Sequence, residues 1–206
     1  MCYSATASFT ASTVLAVMGL ALILRTQNKR FLPLALFPWL FAIQQAAEGF
    51  VWLGLAPDFA KNLFLFFALV GWPLWVPFAF WFAEKRSWSK QTLAICFGVG
   101  LVISSLLGFS IPNMTASTTC SSVHYVYPTH FYNHNILFVS YAIATVFPFF
   151  LSSLPKTAYL GLLFAASALL IAWIDRTFFI SLWCFVSAMI SLGLFFILRP
   201  HLHSQK

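Results

Sequence analysis

The chain has 206 residues, of which 61% are hydrophobic, 19% aromatic and only 7% charged. A soluble domain carries about 25% charged residues because water has to solvate its surface, so this composition excludes a water-soluble enzyme. Intrinsic disorder is excluded for the opposite reason, since 25 Phe and 8 Trp provide far too much apolar surface. An integral membrane protein remains.

Seven apolar stretches follow one another along the chain, each close to the roughly 20 residues that a spanning helix needs. They are Thr6–Leu24, Phe31–Leu55, Leu63–Ala83, Gln91–Ile111, Ile136–Ser153, Thr157–Trp173 and Thr177–Leu198. None shows the alternation of a strand. We therefore predict an all-α, multi-pass bundle of seven transmembrane helices, one domain over residues 1–206, embedded in the lipid bilayer of the cell membrane. The longest connection is the loop 112–135.

Basic residues are unevenly divided between the two sides of this bundle. Nine map to one side, namely Arg25, Lys29, Arg30, Lys85, Arg86, Lys90, Lys156, Arg199 and Lys206. Two map to the other, Lys61 and Arg176. Because Lys and Arg near span ends stay on the cytoplasmic side, we predict an external N-terminus and a cytoplasmic C-terminus. The basic residues are scattered over separate loops, and this pattern argues against a nucleic-acid partner.

One charged residue, Glu48, lies inside a predicted span. A charged side chain there costs about 2.5–3.5 kcal/mol on insertion scales, and such residues face the bundle interior and mark functional sites. Gln44, Gln45 and Trp52 lie on the same side of the helix. A glutamate that only stabilises helix packing through hydrogen bonds is the alternative.

The last predicted span carries a stripe of small polar residues at spacings of three and four, Ser181, Cys184, Ser187 and Ser191. Cys184 and Glu48 both fall roughly 10 Å from the outer end of their spans. Three prolines interrupt other spans and free backbone carbonyls, Pro73, Pro77 and Pro148. Together these features predict an outward-facing polar pocket, although such stripes also serve as helix-packing surfaces.

The long loop adds histidine and cysteine, the residues that bind transition metals such as zinc. The candidate metal ligands are Cys2, Glu48, His124 and Cys184. His130 and His134 share the spacing of four that places two imidazoles on one helical face, but exposed histidines would show the same pattern. Cys2 and Cys120 both map outside, where an oxidising compartment permits a disulfide.

Several segments of the chain resemble the motifs of a known family. Met1–Phe9 reads MCYSATASF and Gln44–Trp52 reads QQAAEGFVW. They are similar to the MCFSA-x-ASF and QQ-x-x-EG-x-VW motifs of a family of uncharacterised, mostly bacterial multipass membrane proteins, with Tyr3 where phenylalanine is usual. Ser181–Phe185 resembles the SVWCF motif of its last span, and Trp72–Phe78 its third-span motif.

The resemblance covers the whole chain and implies the same multipass topology. It points to Cys2, Gln45, Glu48, Trp72, Trp183 and Cys184 as the residues of interest. It implies no particular activity.

Three functions are compatible with these patterns. The first is a pocket that binds a metal or small ligand, formed by Gln44, Gln45, Glu48, Trp52, Trp72, Trp183 and Cys184. With an open metal position it would be a membrane-embedded enzyme in which Glu48 is the candidate catalytic residue. The second is a small transporter or channel that uses Glu48 as a proton or cation relay. The third is a structural or sensory membrane protein.

Overall fold

The computed structural model describes residues 4–119, 123–126, 135–174 and 176–198. Its α-helices are α1 (Ala5–Arg25), α2 (Leu32–Ala35), α3 (Phe37–Leu53), α4 (Pro57–Leu65), α5 (Trp72–Ala83), α6 (Ser87–Gly108), α7 (Asn135–Thr145), α8 (Pro148–Leu151), α9 (Thr157–Ile174), α10 (Phe179–Ser191) and α11 (Gly193–Leu198). Short 3-10 turns occupy Lys29–Phe31 and Ile111–Asn113. The loop between α6 and α7 contains a small antiparallel ribbon, β1 (Thr115–Thr118) paired with β2 (Val123–Val126).

Six helical segments are long and apolar enough to cross a membrane. They are Ala5–Arg25, Lys29–Leu53, Pro57–Ala83, Ser87–Asn113, Thr157–Ile174 and Phe179–Leu198. The helical prediction is thereby confirmed for six of the seven predicted spans. Many of the exposed side chains on these helices are large and apolar, among them Leu24 at 76% and Leu169 at 66%. Such a surface suits lipid better than water.

The fifth predicted span, Ile136–Ser153, differs from the other six. The structure has a shorter apolar helix there, Ile136–Leu151, which is interrupted between α7 and α8. Pro148 causes the break because its ring nitrogen cannot donate to the carbonyl one turn earlier. The count of seven long spanning helices predicted from the sequence is therefore not reproduced.

The antiparallel pair α1 and α3 forms the most extensive helix contact in the structure. Gly19 permits it, because a Cβ atom at this position would lie 2.7 Å from the backbone nitrogen of Trp39. Ser12 Oγ donates a hydrogen bond to the Ala42 carbonyl at 2.8 Å across the same interface. Small residues that let two backbones approach are the usual basis of helix packing in lipid, and here they hold α3 and its polar residues in place.

A π-helical segment, Phe66–Gly71, separates α4 from α5. Its register is set by the bond from the Trp72 N–H to the Phe67 carbonyl, five residues back. The next residue is Pro73, which has no N–H, so the Ala68 carbonyl loses its backbone donor in this register. The Tyr141 hydroxyl donates to that carbonyl instead, at 2.5 Å.

Three of the bundle's connecting regions meet at one end of the molecule. The Arg30 guanidinium donates to the Ala83 carbonyl, and the Ser153 N–H donates to Glu84 Oε2 at 2.6 Å. We call this the basic end, because the loops there carry most of the described basic residues, Arg25, Lys29, Arg30, Lys85, Arg86, Lys90 and Lys156.

The opposite end of the bundle carries the ribbon and is called the hairpin end. Lys61 Nζ donates to the Met114 carbonyl at 2.8 Å, and the rings of His124 and Phe178 meet edge to face at 5.8 Å. The fold thus gathers at one end the loops whose basic residues the sequence assigns to the cytoplasmic side. The direction of insertion into a membrane is a separate matter and stays a prediction.

Candidate functional site

Glu48 lies on the inward face of α3 with 2% of its surface exposed. Ser181, near the start of α10, donates a hydrogen bond from its hydroxyl to Glu48 Oε1 at 2.5 Å. Hydrogen bonds to carboxylates are shorter and stronger than bonds between neutral groups. The contact joins two predicted polar features, the glutamate of the second span and the stripe of the last one.

No cation pairs with Glu48 among the residues that the structure describes. The one salt bridge among the described residues joins Lys61 and Asp58 at 3.5 Å, near the start of α4. A buried carboxyl group normally has a charged partner, a metal ion or a proton. Glu48 can therefore bind a cation or a proton, and the described part of the chain supplies no cationic side chain for it.

Gln44, one turn before Glu48, is fully buried. Its Oε1 accepts from Trp72 Nε1 at 2.8 Å, and its Nε2 donates to the Phe64 carbonyl at 3.5 Å. Phe64 precedes the π-helical segment and Trp72 follows it. Gln44 therefore braces both sides of the irregular stretch, and Trp72 is placed by that bond and by stacking on Phe41 with ring centroids 3.9 Å apart.

Gln45 is also fully buried. Neither Nε2 nor Oε1 of its amide has a hydrogen-bond partner within the described ranges. Leaving a buried polar group unpaired costs about 1–3 kcal/mol, so such groups are usually satisfied by water, an ion or a ligand. Gln45 lies one turn from Glu48 on α3, so both available groups occupy the same part of the bundle.

Tyr125 belongs to this region, although it was not among the predicted pocket residues. It belongs to β2, is 1% exposed, and stacks on Phe64 with ring centroids 4.8 Å apart. Its hydroxyl has no partner among the described residues. Burial, together with nearby Glu48 and Cys184, raises the pKa of this phenol well above its ordinary value, so the group is an O–H donor at neutral pH. The ribbon thus closes the hairpin end of the site.

Cys184 is buried one turn after Ser181 on α10. It borders a small, partly open cavity of about 30 Å³, lined by Phe37, Phe41, Trp72, Tyr141, Thr145, Phe149, Phe164, Trp183, Cys184 and Ser187. A water molecule needs about 10–15 Å³ by the same measure. The cavity is thus large enough for one or two waters and far too small for an organic substrate.

The structure separates the predicted pocket residues into two groups. Trp72, Trp183 and Cys184 line the cavity, whereas Gln44, Gln45 and Glu48 lie on α3 and are not part of its lining. Trp183 donates from Nε1 to the Phe164 carbonyl at 3.3 Å. Trp52 is half-buried and packs against the apolar cluster of the hairpin end.

Of the candidate metal ligands, three fall within the described residues. Glu48, Cys184 and His124 do not come together, since no group of three His, Cys, Asp or Glu side chains in the described ranges could hold a metal ion. His124 lies on β2 against Phe178. The remaining candidate, Cys2, lies outside the described residues, as do Cys120 of the predicted disulfide, His130 and His134.

The comparison with protein families decides where the chain belongs. A family model matches residues 1–205. The chain belongs to DUF6629, a family of unknown function. No curated protein and no solved structure matches it. Membership in DUF6629 agrees with the resemblance to an uncharacterised family and carries no activity with it, so the function has to be inferred from the site.

Proposed function

We propose that this DUF6629 protein is a membrane-embedded binding protein whose Glu48 site takes a small cation. The observation that carries the proposal is the buried carboxyl of Glu48, which receives a hydrogen bond from Ser181 and has no cationic partner among the described residues. Gln45 Oε1 supplies a second unpaired oxygen close by. Carboxylate, amide and hydroxyl oxygens together suit a hard cation.

Zinc is the alternative ion, because Cys184 lies near Glu48 and prefers a softer metal. This version needs Cys2 or another donor from outside the described ranges to complete the ligand set. Only a zinc ion with an open coordination position would make the protein an enzyme. The hard-cation version is favoured because the oxygens it uses all belong to described residues.

Thermal unfolding of the purified protein tests the proposal. The protein is freed of metal with a chelator and then titrated separately with sodium, calcium and zinc. We expect one of these ions to raise the Tm of the wild type by several degrees. Glu48→Gln should abolish that rise because it removes the charge while it keeps the shape of the side chain.

Asp58→Asn is the matched control, since Asp58 is an exposed carboxylate outside the site. This variant should respond to the ion as the wild type does. An equal response of Glu48→Gln and the wild type would overturn the proposal, and so would a wild type that responds to none of the three ions.

Proton or cation transport is a second candidate, favoured by the irregular backbone beside the site. Half-broken helices with carbonyls freed from the backbone ladder are common where transporters bind ions, and here Gln44 bonds to Phe64 and Trp72, which flank the π-helical segment. Proteoliposomes containing a pH-sensitive dye would test it. Wild-type protein should carry protons under an imposed gradient, and Glu48→Gln should not. Equal rates in both would exclude Glu48 as the relay.

A further inference from the structure

The basic end carries a dense positive charge with almost no acidic residue to balance it. Four of its cations lie in two loops that touch each other, Lys29, Arg30, Lys85 and Arg86; we call them the Arg30 patch. The two loops touch through the hydrogen bond from the Arg30 guanidinium to the Ala83 carbonyl. Ala83 lies two residues before Lys85 and three before Arg86. Lys29, Lys85 and Arg86 are exposed.

The described part of the basic end contains one acidic residue, Glu84. Backbone and hydroxyl groups already donate hydrogen bonds to its carboxylate. Glu84 is 3% exposed. Oε1 accepts from the Lys85 N–H at 2.7 Å, the Arg86 N–H at 2.9 Å and Ser153 Oγ at 2.7 Å, while Oε2 accepts from the Ser153 N–H. None of these donors is a side-chain cation. The carboxylate therefore ties two loops together and forms no ion pair with the Arg30 patch.

The patch adjoins an apolar, aromatic surface at the end of α5 and the start of α6. Trp81 is 39% exposed, Phe82 42% and Trp88 57%. Lys90 Nζ lies 4.9 Å from the centre of the Trp81 ring. Tryptophans and basic residues in this arrangement are characteristic of the level at which lipid headgroups meet acyl chains.

We propose that the Arg30 patch binds the phosphate headgroup of an anionic phospholipid. Arg30 has five N–H donors in a planar fork that fits phosphate oxygens, and its bond to Ala83 orients the fork without consuming it. Lys29, Lys85 and Arg86 supply the surrounding charge. The acyl chains of the same lipid cover the exposed rings of α5 and α6. Free phosphate would satisfy the charges but would leave those rings uncovered. This inference does not depend on the Glu48 site.

The experiment compares lipid binding by two double variants that lose equal charge at the same end. The purified full chain is placed in nanodiscs of phosphatidylcholine with increasing phosphatidylglycerol, and the lipid retained on release is counted by native mass spectrometry. Wild-type protein should retain phosphatidylglycerol selectively. Arg30→Gln with Lys85→Gln should weaken that retention by on the order of tenfold, because these two side chains belong to the patch that holds the headgroup phosphate.

Arg25→Gln with Lys156→Gln is the matched control, which removes two charges of the basic end outside the patch and should change retention less than threefold. Equal losses in the two double variants would show diffuse attraction and overturn the site. Arg30→Lys, which keeps the charge but not the planar fork, should fall between wild type and the patch variant. Circular dichroism checks that each variant keeps its helical content. If a double variant does not, the comparison is made with Arg30→Lys alone.

Inorganic phosphate in pure phosphatidylcholine nanodiscs distinguishes the two sources of the phosphate group. If it raises the Tm of the protein as much as phosphatidylglycerol does, the lipid is not the occupant and the proposal fails. Glu48→Gln should retain phosphatidylglycerol like the wild type, so failure here and failure of the cation site give different results.

Discussion

At the scale of the residue, the molecule contains two buried glutamates that differ in how they are satisfied. Glu84 accepts four hydrogen bonds from backbone and hydroxyl donors. For Glu48 the structure gives one hydrogen bond of normal geometry, from the Ser181 hydroxyl, with the Gln45 amide as a weaker neighbour. The four donors explain why Glu84 is structural, and the unused capacity of Glu48 is the reason to assign it a ligand.

The Ser181 bond can be tested against a neighbour on the same helix. Ser181→Ala removes the donor to Glu48, and we expect the free energy of unfolding to fall by about 1.5–3 kcal/mol, the range for hydrogen bonds to charged groups. Ser187→Ala is the matched change six residues later on the same helix, where the side chain is also buried. Its hydroxyl has no partner among the described residues, so its loss should be nearly neutral. Unfolding in detergent, followed by circular dichroism, measures both. Equal effects would show that the Ser181–Glu48 bond contributes nothing.

Glu84 should make the stability of the protein depend on pH. Burial alone would raise the pKa of this carboxyl, but the hydrogen bonds from Arg86, Ser153 and Lys85 outweigh it, and the pKa is lowered from its ordinary value of 4.5. A group whose pKa is lower in the folded state stabilises the fold above the unfolded pKa, and that contribution is lost as pH falls through the folded pKa.

We therefore expect Glu84→Gln to lower the Tm at neutral pH, because an amide cannot accept from all four donors. The difference in Tm between wild type and Glu84→Gln should shrink as pH falls below about 4.5. Tm measured at several pH values between neutral and about 3 checks this. A difference that stays constant across the range would contradict the assignment.

At the scale of the element, the third helical segment departs from regular geometry, and other helices compensate for it. Pro77 frees the Pro73 carbonyl one turn earlier, and Gly100 of α6 packs directly onto that oxygen. Ser104, one turn along α6, donates to the Val70 carbonyl at 3.0 Å. The prolines in the sequence predicted a cavity or a kink, and the tertiary contacts show how the freed carbonyls are covered.

Gly100 offers a test with a control in the same helix. A Cβ atom at Gly100 would overlap the Pro73 carbonyl oxygen, so Gly100→Ala must push α5 and α6 apart. We expect a loss of about 1–3 kcal/mol in unfolding free energy, typical of overpacking. Gly98→Ala meets nothing within 4 Å and should be neutral or stabilising by up to about 1 kcal/mol through helix propensity. Thermal unfolding of both variants decides the matter, and equal Tm values would refute the close contact.

At the scale of the whole molecule, the fold separates a basic end from a hairpin end. Seven described basic residues lie at the first, while Lys61 and Arg176 belong to the second. Because positively charged loops stay on the cytoplasmic side, we propose that the basic end is cytoplasmic and the hairpin end external.

Cysteine labelling in intact cells tests this orientation. Asp58→Cys and Lys85→Cys place thiols at exposed positions of the hairpin end and the basic end. In a background with Cys2→Ser and Cys120→Ser, a membrane-impermeant maleimide should label Asp58→Cys directly. It should label Lys85→Cys only after the cells are permeabilised. The reverse pattern would invert the topology. The native Cys96 and Cys184 are buried and serve as the background level.

The sequence by itself determined that the chain folds into long apolar helices, because the hydrophobic content of a segment is a local property that no distant contact can change. It also singled out Glu48, since the position of a charged residue within an apolar stretch can be read from the sequence alone. The apolar content of the fifth segment predicted a full-length span, whereas the structure has a shorter helix that is interrupted before Pro148. The ribbon was not predicted, because its two short strands carry only a weak sequence pattern.

Only the tertiary structure decided which groups meet. Ser181 is 133 positions from Glu48 along the chain, and Tyr125 reaches the site from a loop that the sequence marks only as polar. Gln44 was predicted as a pocket residue, and its bonds to Phe64 and Trp72 show that it braces the π-helical segment. Hydrogen-bond partners depend on how helices pack and rotate against one another, and the periodicity of a single helix does not contain that information.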